Sequence, residues 1–151
     1  MEPLTTLKRA RFALDRIFGY RVYYIKSLKK GDDPKKYIGY CTVTSGKNPR
    51  FFFANKKDII IGPYFVDEAC RGKGWATTLV KTVAGICEKD YTSAYVMIKN
   101  DNYSSIKVTE KLGGKLIFHV HNTKLKRLIK TEEGEYGIYK ITKNSGLNDN
   151  L

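Results

Sequence analysis

Apolar residues recur at helical spacing near the start of the chain, where Leu7, Ala10, Leu14, Ile17 and Phe18 fall on one face. This predicts a first helix, capped by Thr5 or Thr6 just after Pro3 and stopped at Gly19. Residues 21–27, rich in Val, Tyr and Ile, read as a strand. A polar turn over 29–34 leads to a second strand over 37–44. A turn over 45–49 leads to a third over 50–54, and 58–66 reads as a fourth, strongly apolar strand. The period then changes. Ala76, Leu79, Val80, Val83 and Cys87 mark an amphipathic helix over 75–88. Next come a short buried strand over 94–98, a helix over 103–112 stopped by Gly113-Gly114, and strands over 115–120 and 136–141. The order predicts an α/β fold in one domain over 1–142, with a single mixed, mostly antiparallel sheet flanked by helices. A polar, mobile tail is expected over 143–151.

Composition narrows the choice of partner. The chain has 151 residues, 42% hydrophobic and 13% aromatic, which suits one domain with a real core. The formal charge, 28 − 15 = +13, favours anionic partners. Nucleic acid, an acidic lipid surface and a phosphorylated cofactor all fit that charge. Cys41, Cys70 and Cys87 are odd in number and lack metal-ligand spacing, so neither a disulfide framework nor a metal site is expected. A reducing compartment is the default. No secretory pattern follows the early lysines, and the apolar stretches 50–54 and 59–66 are too short to span a bilayer. A cytoplasmic protein without membrane insertion is expected.

The junction after the strand over 58–66 carries the clearest chemistry. Arg71-Gly72-Lys73-Gly74-Trp75-Ala76 joins that strand to a helix start, where unpaired N–H groups and partial positive charge suit a pyrophosphate. Gly72 and Gly74 let the backbone bend and let a ligand come close. Arg71 and Lys73 add charge, and Thr77 adds a hydroxyl. The plain alternative is a tight turn that happens to be basic. The run is neither a Walker loop nor the three-glycine dinucleotide fingerprint.

The run Gly62-Pro63-Tyr64-Phe65-Val66-Asp67-Glu68-Ala69-Cys70-Arg71-Gly72-Lys73-Gly74-Trp75-Ala76-Thr77-Thr78-Leu79-Val80 resembles the acetyl-CoA signature of the GNAT superfamily of N-acetyltransferases. The family core, Arg/Gln-x-x-Gly-x-Gly/Ala, is matched by Arg71, Gly74 and Ala76. Downstream, Asn102-Tyr103-Ser104-Ser105-Ile106 and Glu110-Lys111-Leu112-Gly113-Gly114 resemble the family's asparagine-led helix and its close. Two motifs in this order are more specific than either alone, and together they cover 58–116.

The resemblance implies two parallel strands that splay apart around acetyl-CoA, the cosubstrate. Backbone groups at Phe65 and Val66 would hold the pantetheine and polarise the thioester. Arg71, Gly72, Lys73, Gly74, Trp75, Ala76 and Thr77 would wrap the pyrophosphate, and Asn102 and Ser105 would meet the pantetheine arm. A primary amine of a small molecule would attack the thioester directly. The run Gly62-Pro63-Tyr64 also resembles GNAT-like proteins associated with cell-surface polysaccharides, which implies an amino sugar acceptor, free or nucleotide-linked; peptide N-termini, lysines, aminoglycosides and, ranked lower for their charge, polyamines are the open alternatives. Nucleic acid is not the expected partner, no metal is expected, and the chain is expected as a monomer or homodimer.

Acyl transfer calls for a base, a donor facing the thioester oxygen and an acid for the thiolate. Asp67 and Glu68 are the nearest carboxylates in sequence, with ordinary loop charge as the alternative. Tyr64 is a candidate for lining the acceptor site. Many family members carry a tyrosine acid at the place matched by Thr109, and threonine is a poor acid. Tyr103 is the candidate replacement. Gly114 stands where the family usually has an aromatic. His119 and His121 alternate on a strand without a third ligand and read as ordinary histidines. Cys70 reads as structural, and Lys124, Lys126, Arg127 and Lys130 as a solvated face. A non-catalytic module that binds acyl-CoA or nucleic acid is the competing class.

Overall fold

The structure is a computed structural model and describes residues 17–26, 37–87, 91–123 and 127–142. Seven strands form one sheet: β1 (Arg21–Lys26), β2 (Tyr37–Ser45), β3 (Ile59–Val66), β4 (Ser93–Lys99), β5 (Lys115–Asn122), β6 (Leu128–Thr131) and β7 (Tyr136–Thr142). Two helices interrupt them, α1 (Trp75–Cys87) after β3 and α2 (Tyr103–Lys111) after β4. The spatial order is β1-β2-β3-β4-β7-β5-β6. Among the described strands only β3 and β4 run parallel, because α1 provides the long crossover that parallel neighbours need. The mixed, mostly antiparallel sheet expected from the sequence is therefore present. The predicted first helix up to residue 16, the end of the first strand at 27, the turn over 29–34, the helix end at 88, Lys124, Lys126 and the tail lie outside the described residues.

Each face of the sheet has its own core. On one face Cys41, Val43, Ile59, Ile61, Val96 and Ile98 pack under Leu79, Val80, Val83, Ala84 and Cys87 of α1. Those α1 residues recur at the three-and-four spacing of a helix with one buried face. On the other face Tyr95, Val120, Leu128 and Ile138 form a second cluster with Phe51, Phe53 and Phe118 around it. β4 is covered on both sides, which is why 93–98 reads as an almost unbroken apolar run.

Two expectations need correction. Residues 50–54 are not a strand but a series of turns, with Phe51 N–H bonded to Asn48 C=O (3.0 Å) and Ala54 N–H to Phe51 C=O (3.0 Å). The Asn48 side chain accepts from Arg50 N–H at 3.0 Å, giving the backbone a local alternative to a ladder. The apolar run is explained by its rings, Phe52 stacking on Phe118 and Phe53 meeting Tyr95 and Phe118 edge-on. Conversely, β6 lies within a stretch read as a solvated basic face. It pairs antiparallel with β5, Thr131 opposite His119 and Leu128 opposite Asn122.

Asp58 ties the turns to the sheet. It is 2% exposed, and its carboxylate accepts from Asn55 N–H (2.7 Å) and Ser93 N–H (3.0 Å). Asp58→Asn keeps the shape but removes one acceptor and the charge. We expect a loss of about 2 kcal/mol, read as a thermal midpoint lowered by roughly 4–8 °C. An unchanged midpoint would refute this anchoring role.

Candidate functional site

β3 and β4 pair only at Ile59↔Ala94, Ile60↔Tyr95 and Ile61↔Val96. The next residue, Gly62, has φ 107, a kink out of the pleated conformation that a side chain would resist. From there β3 follows β2, with Tyr64 opposite Cys41 and Val66 opposite Gly39, while β4 follows β7 as far as Lys99↔Tyr136. The strands part, and the gap is a cleft of about 230 Å³. Tyr64, Val96 and Ile98 line it from the helix-covered side, Met97 and Tyr136 from the other, and Asn102 and Ser105 from α2.

The parting leaves backbone groups on β3 without a strand partner. Asp67 N–H donates to Ile38 C=O at 2.8 Å, so position 67 faces β2. Backbone direction alternates along an antiparallel pair, so Phe65 also faces β2, and Tyr64 and Val66 face the cleft. The Val66 carbonyl accepts from Arg71 Nε at 3.1 Å. Of the two residues expected to offer backbone groups, Val66 is turned to the cleft and Phe65 to β2. The backbone of Tyr64, missed in the sequence, shares the open edge; the two-residue period of a strand would find it once the register is known.

The turn after β3 is built for exposure. Gly72 and Gly74 have φ 77 and 79, and a Cβ at either would meet nothing within 4 Å. Glycine is required there by conformation, and the space beside it is open. The first bond of α1 runs from Thr78 N–H to Gly74 C=O (3.0 Å), so the N–H groups of Trp75, Ala76 and Thr77 have no acceptor within the helix. Arg71 is fixed at this mouth by Val66 C=O, by Glu68 (3.0 Å) and by the Phe65 ring, 5.5 Å from its guanidinium carbon. Lys73 Nζ reaches Ala69 C=O at 3.5 Å.

The candidate acid–base residues are placed differently. Asp67 accepts from Ala69 N–H at 3.0 Å and caps the short 3₁₀ turn Glu68–Cys70. Glu68 pairs with Arg71 in solvent. Tyr103, 71% exposed, opens α2. None of the three lines the cleft. Asn102 caps α2, its Oδ1 accepting from Ser105 N–H at 3.1 Å. The Tyr64 hydroxyl crosses the cleft and donates to Ser105 C=O at 3.2 Å. Burial raises its pKa above the ordinary phenol value, with Ser105 and Thr109 pulling the other way. Thr109 is fully buried.

Cys41 and Cys87 are buried, burial pushing the Cys41 thiol up to about 12, while Cys70 is half-buried beside the turn. Among the described residues no three His, Cys, Asp or Glu side chains come together as a metal set. Among them, too, no helix is long and apolar enough to cross a membrane.

One exposed feature adjoins this end of β3. Tyr24 of β1, Tyr37 and Tyr40 of β2 and Phe65 of β3 form a row of rings, with centroids 4.7 Å (Tyr24–Tyr37), 6.4 Å (Tyr24–Tyr40) and 6.0 Å (Tyr40–Phe65) apart. Lys26 lies over Tyr37 at 5.0 Å, so a cation stands at each end.

Comparison with known proteins agrees with this geometry. The family model described as "Acetyltransferase (GNAT) family" matches residues 7–114. An N-acetyltransferase from Staphylococcus aureus is similar in structure, with 20% identity and TM-score 0.60 over 93% of this chain and 79% of that one. A phosphinothricin acetyltransferase from Sinorhizobium meliloti, solved with acetyl-CoA, has 18% identity and TM-score 0.60 over 91% and 69%. A ribosomal-protein-alanine N-acetyltransferase from Escherichia coli has 15% identity and TM-score 0.61 over 94% and 80%. No sequence among curated proteins matches the chain.

Proposed function

Since the chain belongs to the GNAT family of acetyltransferases, we propose that it transfers the acetyl group of acetyl-CoA to a primary amine of a small molecule, with an amino sugar as acceptor. The observation that carries the donor site is the parting of β3 from β4 after Ile61↔Val96 beside an open, basic turn. The cleft, about 230 Å³, falls below the ~300–1,000 Å³ of pockets that enclose a whole drug-sized ligand. It therefore takes the slender acyl-pantetheine end. The nucleotide stays outside, its pyrophosphate on the N–H groups of Trp75, Ala76 and Thr77, with Gly72 and Gly74 giving close approach and Arg71 and Lys73 the charge. The backbone of Tyr64 and Val66 hydrogen-bonds the pantetheine amides and faces the thioester oxygen, whose negative charge grows during attack. Asn102 and Ser105 border the same arm. The amine's proton passes to water at the mouth, since Asp67 and Glu68 are engaged elsewhere.

The acceptor reading rests on the row of rings ending at Phe65. Flat aromatic faces suit a ring-shaped acceptor. The surplus of positive charge disfavours polyamines and favours a nucleotide-linked sugar. The phosphinothricin and ribosomal-protein enzymes named above share the fold with unlike acceptors, so the acceptor is decided by this surface rather than by the fold.

Free-thiol release measured over a panel of amines tests the proposal. Amino sugars and their nucleotide conjugates are expected to be turned over faster than polyamines or peptides; a preference for polyamines would sink the acceptor reading.

The same row of rings favours a second reading, because exposed sheet aromatics flanked by cations are how single strands are stacked. Binding of an oligonucleotide at two salt concentrations separates the two. Tight, steeply salt-dependent oligonucleotide binding without acetyl-CoA binding would favour the non-catalytic module.

A further inference from the structure

We propose that the hollow at the opposite end of the sheet, among Arg21, Lys47 and Lys56, is a second anion site that takes a small phosphate, either the free ion or the phosphate group of a small metabolite. This does not rest on the acetyl-CoA reading above.

The hollow measures about 190 Å³. It lies where β1 begins, β2 ends and β3 begins, against Cys87, the last residue of α1. The turn at 71–77 stands at the other end of α1, whose 13 residues span roughly 20 Å, so the two places are separate. The volume is below the ~300–1,000 Å³ of pockets for drug-sized ligands, which leaves room for a phosphate with a small carrier at most.

Three cations and one carboxylate, Asp58, line it. The carboxylate is already committed, accepting from Asn55 N–H at 2.7 Å and Ser93 N–H at 3.0 Å. Among the described residues neither the Lys47 nor the Lys56 ammonium has an ion-pair partner. The Arg21 guanidinium neighbours the Tyr23 hydroxyl, which in turn lies 3.5 Å from Cys87 Sγ, so its charge is held toward the floor. The Ser45 hydroxyl accepts from Lys47 N–H at 3.2 Å and keeps its own proton to donate. A bond from Gly46 N–H to Asp58 C=O (2.8 Å) ties the turn that carries Lys47 to the turn that carries Lys56.

The charges decide the ligand class. Against three positive charges stand one from Asp58 and about half a charge from the carbonyl end of α1. Positive charge is in excess, and like charges around one hollow repel one another until an anion lies between them. A guanidinium, two ammonium groups and a hydroxyl are all donors, which suits the acceptor oxygens of a phosphate.

The test uses the full chain at constant ionic strength, with inorganic phosphate and glucose 6-phosphate as probes and chloride as the balancing anion. The backbone amide resonances of Gly19, Ser45 and Ile59 are expected to shift together and to saturate, and the probe with the lower half-saturation identifies the source. The amides of Gly72 and Gly74 report any phosphate at the other end of α1 on a separate curve. Lys47→Glu combined with Lys56→Glu, both at exposed positions, should raise the half-saturating concentration at least about tenfold. Lys111→Glu combined with Lys115→Glu makes the same change of charge at exposed positions elsewhere and should leave it within about twofold. Shifts that never saturate with either probe, or equal losses in the two double variants, would mean that the ion only follows the bulk charge of the chain and would overturn the site.

Discussion

Gly74→Glu is expected to lower acetyl-CoA affinity at least about 100-fold, equivalent to roughly 3 kcal/mol. Two effects add. The position has φ 79, which costs an L-residue on the order of 1–2 kcal/mol. The new carboxylate also stands at the N-terminus of α1, where it would occupy the N–H groups and repel the pyrophosphate. A Cβ at this position meets nothing within 4 Å, so the fold has room for the side chain and the loss reads on the ligand. Gly74→Ala brings the conformational cost without the charge and should lose about tenfold. Calorimetric titration of both variants measures this. Equal affinities for Gly74→Ala and Gly74→Glu would remove the phosphate role of the turn.

Gly114→Phe is expected to destabilise the chain by about 3 kcal/mol and to lower its thermal midpoint by roughly 6–12 °C. A Cβ on Gly114 would run into Thr109 Cγ2 and lie 2.8 Å from the Thr109 carbonyl oxygen and 3.2 Å from Ile141 Cγ1. One of these is backbone and cannot rotate away. The Gly114 N–H already donates to that carbonyl at 2.9 Å, so relief would require breaking the close of α2. The aromatic usual at this place in the family is therefore not a neutral exchange here. Thermal unfolding with a midpoint equal to wild type would show that α2 and β5 can shift at little cost. A buried Thr109 and a glycine at 114 are two sides of one contact.

Local features of the fold were legible in the residues, while features made by distant partners were not. The period of Leu79, Val80, Val83 and Cys87 marks α1, and the unbroken apolar run over 94–98 marks a central strand, because each pattern follows from the element's own geometry. The run over 50–54 misleads because a run of phenylalanines looks the same whether the backbone is extended or folded into turns by Asn48 and Asp58. β6 hides because it is a four-residue edge strand in which Lys130 shares a face with buried Leu128 while Ile129 is exposed, so no alternating pattern marks it.

The site divides in the same way. The glycines of the turn announce themselves, since positive φ and open space demand them. The roles of Asp67 and Glu68 were obscured because a carboxylate next to a site in sequence is also well placed to cap the turn or pair with Arg71. The reach of Tyr64 to Ser105 spans 41 residues, and no local pattern carries it.

In the proposed function, β3, its kink and the turn at 71–77 form one donor site, with the acyl-pantetheine end in the cleft and the pyrophosphate on the turn. The most direct measurement is a calorimetric titration of the wild-type chain with acetyl-CoA and, in parallel, with S-acetyl-pantetheine, which lacks the pyrophosphate and nucleotide. Both are expected to bind, with acetyl-CoA tighter by at least about 100-fold and the difference shrinking as salt rises. Equal affinities, or no binding of acetyl-CoA, would contradict it.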